Sequence, residues 1–144
     1  MLDPDNVPPV TPDELVARFI YVRRNIRNSD NTIKPDAFMP HPRIKMSVTR
    51  HIAATEEEIW TEGLRVGEVR NLPLQGRGDF LVGSAIAAGI EIVSEKIPEN
   101  PNHADGIGWP ADKGEQKMKA TEIAKAATLQ RYGDSLPPVE PEND

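Results

Sequence analysis

Residues 98–133, PENPNHADGIGWPADKGEQKMKATEIAKAATLQRYG, contain in order a proline-rich turn, a short extended segment and the longest helix-favouring segment. Over residues 103–109 the side chains alternate in character, which predicts a strand. His103, Asp105, Ile107 and Trp109 would share one face of it. Glycines on the opposite face leave room for another backbone to approach closely.

A helix is predicted over residues 111–130, directly after this strand. Asp112 and Glu115 stand at capping-box separation at its start, and Gly133 is predicted to stop it. A helical wheel puts small residues on its buried side, with Lys113 and Gln116 at the polar amino-terminal end of that side. The pattern predicts a helix that lies close to a sheet, with both polar residues near the preceding strand.

The amino-terminal third predicts an arm and then a helix. Residues 1–10 contain three prolines without periodicity and are predicted to be a disordered arm. Thr11 and Glu14 match a capping box, and apolar residues follow at helical spacing, so we predict one helix over residues 12–26. The alternative is a helix that ends near Phe19, followed by a strand over residues 20–24.

Two segments follow, one irregular and one strictly alternating. Residues 28–42 are broken by prolines and predict a long loop anchored by Phe38 and Met39. Residues 43–52 predict a half-buried strand with Ile44, Met46 and Val48 on its buried face. By parity, Arg50 either marks the end of this strand or enters the interior, where it needs a partner.

The middle of the chain predicts a second helix and two strands. Thr55 and Glu58 form another capping box, and a helix is predicted over residues 56–66. Residues 71–78 read as a connector. Strands are predicted over 80–84 and 90–94, with a turn or short helix through residue 88 between them. Residues 134–144 are acidic and proline-rich and are predicted to be disordered.

These elements predict an α+β fold. We expect a single domain over residues 11–133, with about three helices packed on a small mixed β-sheet of about four strands, and disordered termini. The absence of cysteine excludes a disulfide framework and thiolate metal sites. No membrane span or secretory signal is indicated, so a cytoplasmic protein is expected.

Charge is distributed unevenly along the chain. Residues 17–53 carry eight basic and two acidic side chains, although the net charge of the whole chain is −6. This permits an anionic partner such as nucleic acid, with Arg23, Arg24 and Arg27 beside Tyr21 following a phosphate backbone. The alternative is that the basic residues pair with acids inside the fold.

The densest set of reactive side chains surrounds the predicted strand over residues 103–109. His103, Asp105 and Lys113 are the candidate catalytic residues, because a histidine–carboxylate pair beside a lysine supports acid–base chemistry. Arg50, His51 and Gln116 are candidate binding residues. The alternative for His103 and Asp105 is a purely structural role. The three histidines lack metal-ligand spacing, so we predict no metal site, and no motif indicates a cofactor.

Four segments together resemble a family of short, stand-alone bacterial proteins. They are IKPDAFMP (33–40), SVTRH (47–51), QGRGDF (75–80) and NPNHADGIGWPADKGEQK (100–117). The resemblance spans residues 17–130. It implies a bacterial, intracellular, single-domain protein and assigns no residue a role.

Two functions are therefore expected, in order. The first is a non-enzymatic interaction or accessory module with a protein partner, since no catalytic motif stands out and the charge is segregated. The second is a protein that acts on nucleic acid or a phosphoester through His103, Asp105 and Lys113. Whether the protein is an enzyme is left open by the sequence.

Overall fold

A computed structural model describes residues 1–40 and 44–133. The strands are β1 (Leu15–Ile20), β2 (Ile26–Arg27), β3 (Thr32–Ile33), β4 (Met46–Arg50), β5 (Gly76–Leu81), β6 (Glu91–Ser94), β7 (His103–Ile107) and β8 (Thr128–Arg131). The helices are α1 (Glu56–Arg70), α2 (Val82–Ala87) and α3 (Lys113–Ala126), with 3-10 helices at Arg23–Asn25 and Pro35–Phe38.

Six strands form one sheet in the order β6-β7-β4-β1-β5-β8, and β2 and β3 form a separate pair. Neighbouring strands pair antiparallel. The predicted α+β class is confirmed, and the described residues contain three helices as expected, although one of the three lies elsewhere in the chain than predicted. The predicted strand count of about four is too low, and the sheet is antiparallel rather than mixed.

The two faces of the large sheet are covered differently. One face, which includes Val16 of β1 and Phe80 of β5, packs with α2, α3 and the second 3-10 helix around the main hydrophobic core. Helix α1 lies on the opposite face, where Gly63 sits so close to Phe19 that an added Cβ would come within 2.8 Å of its ring. Two helices, α2 and α3, thus cover the first face, and one helix, α1, covers the second.

The helix predicted over residues 12–26 is wrong, because this segment contains β1, the first 3-10 helix and β2. The alternative, a helix followed by a strand over residues 20–24, is wrong as well. Part of the predicted capping box at Thr11 does form, since the Thr11 backbone N–H donates to the Glu14 side chain at 2.8 Å. These contacts close a turn instead of starting a helix. Strand β1 pairs on both sides and is covered on both faces, so its sequence lacks the alternation of a half-buried strand.

The predicted final helix ends too late. Asp112 caps α3 as expected, its side chain accepting from Glu115 N, but α3 ends at Ala126. The following residues form β8, an edge strand paired with β5, so Gly133 does not stop a helix. Gly76 makes this pairing close, because a Cβ there would meet Gln130 O at 2.6 Å.

The other boundaries differ by smaller amounts. Thr55 caps α1 through the predicted capping box, and the helix runs on to Arg70. The predicted connector over residues 71–78 already contains the start of β5, and α2 begins at Val82 inside the strand predicted over 80–84. Ile44 precedes β4 with a φ of 61° and is exposed, so its predicted place on the buried face is wrong.

The first ten residues, for which the sequence predicts a disordered arm, contact the domain. The Leu2 N–H donates to Asn102 Oδ1 at 2.8 Å, and the carbonyls of Pro8 and Pro9 accept from Arg50. The tail predicted at residues 134–144 lies outside the described residues. No helix in the described part of the chain is long and apolar enough to cross a membrane.

Candidate functional site

A groove of about 220 Å³ lies between α1 and the sheet face beneath it. We call it the α1 groove. Its sheet side includes Arg18, Phe19, Ser47, Thr49 and His103. Its helix side includes Glu62, Val66 and Arg70 of α1, and Tyr21, which directly follows β1, completes the lining. Charged and hydroxyl-bearing side chains thus share the groove with apolar ones, as they do in many ligand pockets.

Arg18 occupies the place where β1 and β4 stop pairing. The ladder between these strands contains only two residue pairs, Val16 with Arg50 and Ala17 with Thr49. Beyond it, the Arg18 guanidinium donates to the carbonyls of Ala37 at 3.0 Å, Ser47 at 3.0 Å and Met39 at 3.4 Å. Arg18 therefore links the two strands to the second 3-10 helix and forms the floor of the groove.

A second guanidinium reaches the groove from the last turn of α1. Arg70 lies 5.2 Å from the centre of the Tyr21 ring, a distance at which a cation–π interaction forms. Tyr21 is fixed beneath it, because its hydroxyl donates to Gly63 O at 2.7 Å. Burial, and then the charge of Arg70, lower the pKa of Arg18 to about 10, so Arg18 remains charged at neutral pH.

Among the described residues that line the groove, Glu62 carries the one carboxylate. Both oxygens of Glu62 accept hydrogen bonds from Arg65, at 2.7 and 2.6 Å, one turn further along α1. This bidentate pair neutralises the carboxylate locally. The positive charges of Arg18 and Arg70 are therefore left unbalanced within the groove.

His103 and Asp105 lie on the groove side of β7, as the predicted alternation requires. The closest approach of His103 Nε2 to Asp105 Oδ1 is 3.7 Å, which is too long for a hydrogen bond. His103 Nδ1 lies 2.7 Å from Glu95 O, and because a carbonyl only accepts, Nδ1 carries the proton. Nε2 is then the nitrogen of His103 that is left to bind a ligand or exchange a proton.

Lys113 and Gln116 lie on the other side of the sheet. Both belong to α3, which packs against the face that carries Ala104, whereas His103 and Asp105 point away from that face. Gln116 donates to Pro110 O at 2.8 Å and holds the start of α3 in place. The structure brings together two of the three candidate catalytic residues, and Lys113 is separated from them.

Arg50 and His51 have partners within the fold. The Arg50 guanidinium is fully buried and donates to Glu14 at 2.7 and 2.8 Å. Of the two alternatives predicted from parity, Arg50 therefore takes the interior position, with Glu14 as its partner. His51 Nε2 lies 3.0 Å from Asp79 Oδ1, so His51 is engaged with β5 rather than with His103.

The basic residues proposed to follow nucleic acid lie outside the α1 groove. Arg23 and Arg24 are exposed on the first 3-10 helix. Arg27 is in β2, where its side chain donates to Thr32 Oγ1 of β3 at 3.3 Å. Arg18, by contrast, lines the groove. It belongs to the basic segment over residues 17–53 but was not among the predicted site residues.

A group of ionic contacts that the sequence pattern does not reveal joins α1 to β5. Arg77 is buried and donates to Asp79 and Glu56, and its guanidinium lies 4.4 Å from the Trp60 ring centre. Arg77 Nη1 is buried without a hydrogen-bond partner in the described part of the chain. Trp60 thus packs against Arg77, and these contacts fix the first turn of α1 on the sheet.

The ionic contacts of Asp79 predict that the folded protein loses stability in acid. Burial opposes ionisation of Asp79, but hydrogen bonds from His51 and Arg77 outweigh it and hold its pKa below the usual value of 3.8. A lowered pKa in the folded state means that the unfolded chain binds more protons in acid. The contribution of Asp79 is therefore present above about pH 4 and is lost as pH falls through the folded-state pKa.

Denaturant unfolding between pH 6 and pH 3 measures this effect. Asp79→Asn should be less stable than wild type at pH 6, and the difference in stability should narrow as pH falls below about 4, because proton uptake by the Asp79 carboxyl then favours the unfolded wild-type chain. Asp3→Asn, which removes a carboxylate from the amino-terminal segment, is the control and should leave the pH dependence of the free energy of unfolding unchanged. A gap that stays constant with pH would contradict the assignment.

The polar face of β4 was the available signal for the groove. Ser47 and Thr49 fall on the predicted polar face of that strand, and both line the groove. Arg18 was hidden by the wrong helix assignment, and Arg70 lies beyond the predicted end of α1. Among residues 1–40 and 44–133, no three His, Asp or Glu side chains form a group that could hold a metal ion.

Comparison with protein-family models, curated proteins and solved structures found no match to this chain.

Proposed function

We propose that the protein is a non-enzymatic binding module and that the α1 groove holds its ligand, or a group that protrudes from its partner. The observation that carries this proposal is the pair of guanidinium groups, Arg18 and Arg70, beside one groove whose single lining carboxylate is taken up by Arg65. Like charges held close together are unfavourable unless something of opposite charge joins them.

The packing of the groove supports binding. Phe19 and Val66 give it an apolar wall, and Tyr21 is held rigid by its bond to Gly63 O. A site whose side chains are already fixed loses less entropy when a ligand binds. The separation of Lys113 from His103 and Asp105 also favours binding over the acid–base chemistry that this trio would perform.

A fragment library screened by amide chemical shifts on the full-length protein tests the proposal. The library contains charged and neutral fragments, and shifts should concentrate on β4, β7 and the carboxyl-terminal half of α1. Ser47→Phe places a ring in the groove from an exposed position and should weaken binding at least roughly tenfold by filling the space.

Thr128→Phe is the matched control. It puts the same ring on β8, where Thr128 is exposed and pairs with Asp79 away from the groove. It should leave fragment affinity unchanged. Fragments that shift another surface, or that bind Ser47→Phe as tightly as wild type, would show that the groove is not the ligand site.

A further inference from the structure

Neither Arg18 nor Arg70 forms an ion pair with a carboxylate of the residues that the structure describes. Within residues 1–40 and 44–133, Arg18 donates only to backbone carbonyls, those of Ala37, Ser47 and Met39. Arg70 makes no ion pair with any carboxylate in the described ranges, and its guanidinium contacts the Tyr21 ring. A guanidinium has five N–H donors, so Arg18 keeps donors free after these three bonds.

Further donors face the same space. Thr49 Oγ1 accepts from Asn100 Nδ2 at 3.1 Å, which leaves its own O–H free to donate. Ser47 adds a second hydroxyl to the lining. These hydroxyls come from β4 and Arg18 comes from the floor, whereas Arg70 comes from α1. His103 also lines the groove, but its Nδ1 proton is taken up by Glu95 O, so it is not counted as a donor.

Donors that converge from different directions suit a tetrahedral oxyanion better than a planar one. A carboxylate is satisfied by donors in one plane, as the Glu62–Arg65 pair shows. We infer, on the basis of the binding function proposed above, that the groove takes the phosphate group of a small phosphate monoester. Arg18 and Arg70 hold the phosphate oxygens, and Phe19 and Val66 contact the organic part.

Three probes of similar size separate the chemistries. Phenyl phosphate, benzoate and phenol are titrated into the full-length protein, with binding measured by calorimetry and located by amide shifts. Phenyl phosphate should bind in the groove at least roughly tenfold more tightly than benzoate, and phenol should bind more weakly than either. Inorganic phosphate alone should compete with phenyl phosphate.

Charge-changing substitutions in the groove test whether charge accounts for the binding of phenyl phosphate. Arg70→Gln should weaken phenyl phosphate binding roughly tenfold, because it removes one charged donor from an exposed position. Glu62→Gln should strengthen binding severalfold, because it removes the lining carboxylate and frees Arg65. Lys113→Gln removes an equal charge on the other side of the sheet and should change nothing. These opposite signs keep the test decisive even if substitution of Arg18 itself prevents folding.

Each other outcome identifies which idea fails. Tighter binding of benzoate would overturn the phosphate assignment in favour of a carboxylate ligand. Equal groove binding of phenol and phenyl phosphate would overturn the role of charge and leave the binding module intact. If Lys113→Gln weakens phenyl phosphate as much as Arg70→Gln does, the phosphate site lies elsewhere. If no library fragment or probe shifts the groove residues, the proposed function fails as well.

Discussion

Arg50→Ala is expected to lower the free energy of unfolding by about 3–5 kcal/mol, because it leaves the mostly buried Glu14 carboxylate without its partner. The Arg50 side chain is fully buried, and that of Glu14 is 9% exposed. The same guanidinium donates to Pro8 O at 2.7 Å and Pro9 O at 3.2 Å, so its loss also releases the amino-terminal segment. Urea unfolding followed by circular dichroism measures the change.

A double-mutant cycle separates the interaction energy of the Glu14–Arg50 pair from the individual contributions of the two side chains. Glu14→Gln combined with Arg50→Met removes both charges and should be more stable than Arg50→Met alone, since no ion is then left unpaired, and Glu14→Gln alone completes the cycle. Arg23→Ala removes an exposed arginine and should change stability by less than about 0.5 kcal/mol. An Arg50→Ala variant as stable as Arg23→Ala would contradict the buried pair and return Arg50 to the candidate binding residues.

Arg50 also shows what the sequence can and cannot specify. The alternation of β4 predicts that Arg50 points inward, and an inward arginine needs an acceptor. Nothing local identifies Glu14 as that acceptor, because the two residues are 36 positions apart and meet only when β1 and β4 pair. The pattern within a strand is local information, whereas the identity of its neighbour is not.

The same division explains which elements were predicted correctly. Helices α1 and α3 begin where Thr55 and Asp112 cap them, since a cap requires only residues within one turn. Strand β1 was assigned to a helix because burial on both faces removes the period of two that identifies a strand. Strand β8 forms against the glycine-containing β5, and that pairing lies outside the local sequence.

The α1 groove was only partly predictable for the same reason. Its β4 and β7 side follows from alternation, which puts Ser47, Thr49 and His103 on polar faces. Arg18 and Arg70 reach the groove through tertiary structure, one at the end of a short ladder and the other in the last turn of α1. The predicted partners Lys113 and His103 are close in sequence, yet the sheet lies between them.

Phe38→Ala is expected to lower the free energy of unfolding by about 3–5 kcal/mol, the usual range for removing a buried phenylalanine. Phe38 is fully buried and contacts Phe80 edge to face, with ring centres 5.8 Å apart. It lies over Gly78, where an added Cβ would be 2.8 Å from its ring. The glycine lets the ring pack directly on the sheet, so its removal leaves a cavity that the surrounding structure fills only in part.

Phe38→Leu is the graded control, because it keeps most of the volume and should cost about 1–2 kcal/mol. Urea unfolding of both variants beside wild type gives the comparison. The loop over residues 28–42 was predicted to be anchored by Phe38, and the burial of that side chain agrees. A cost below about 1 kcal/mol for Phe38→Ala would mean that the second 3-10 helix does not need this anchor.

The Phe38 variants also connect the core to the α1 groove. Ala37 and Met39 flank Phe38, and their carbonyls are two of the three acceptors that position Arg18. If Phe38→Ala shifts this backbone, Arg18 keeps only its bond to Ser47 O, and phenyl phosphate should bind more weakly even where the protein is fully folded. Phe38→Leu should largely preserve both the backbone and the affinity. Unchanged affinity in folded Phe38→Ala would show that Ser47 O alone positions Arg18.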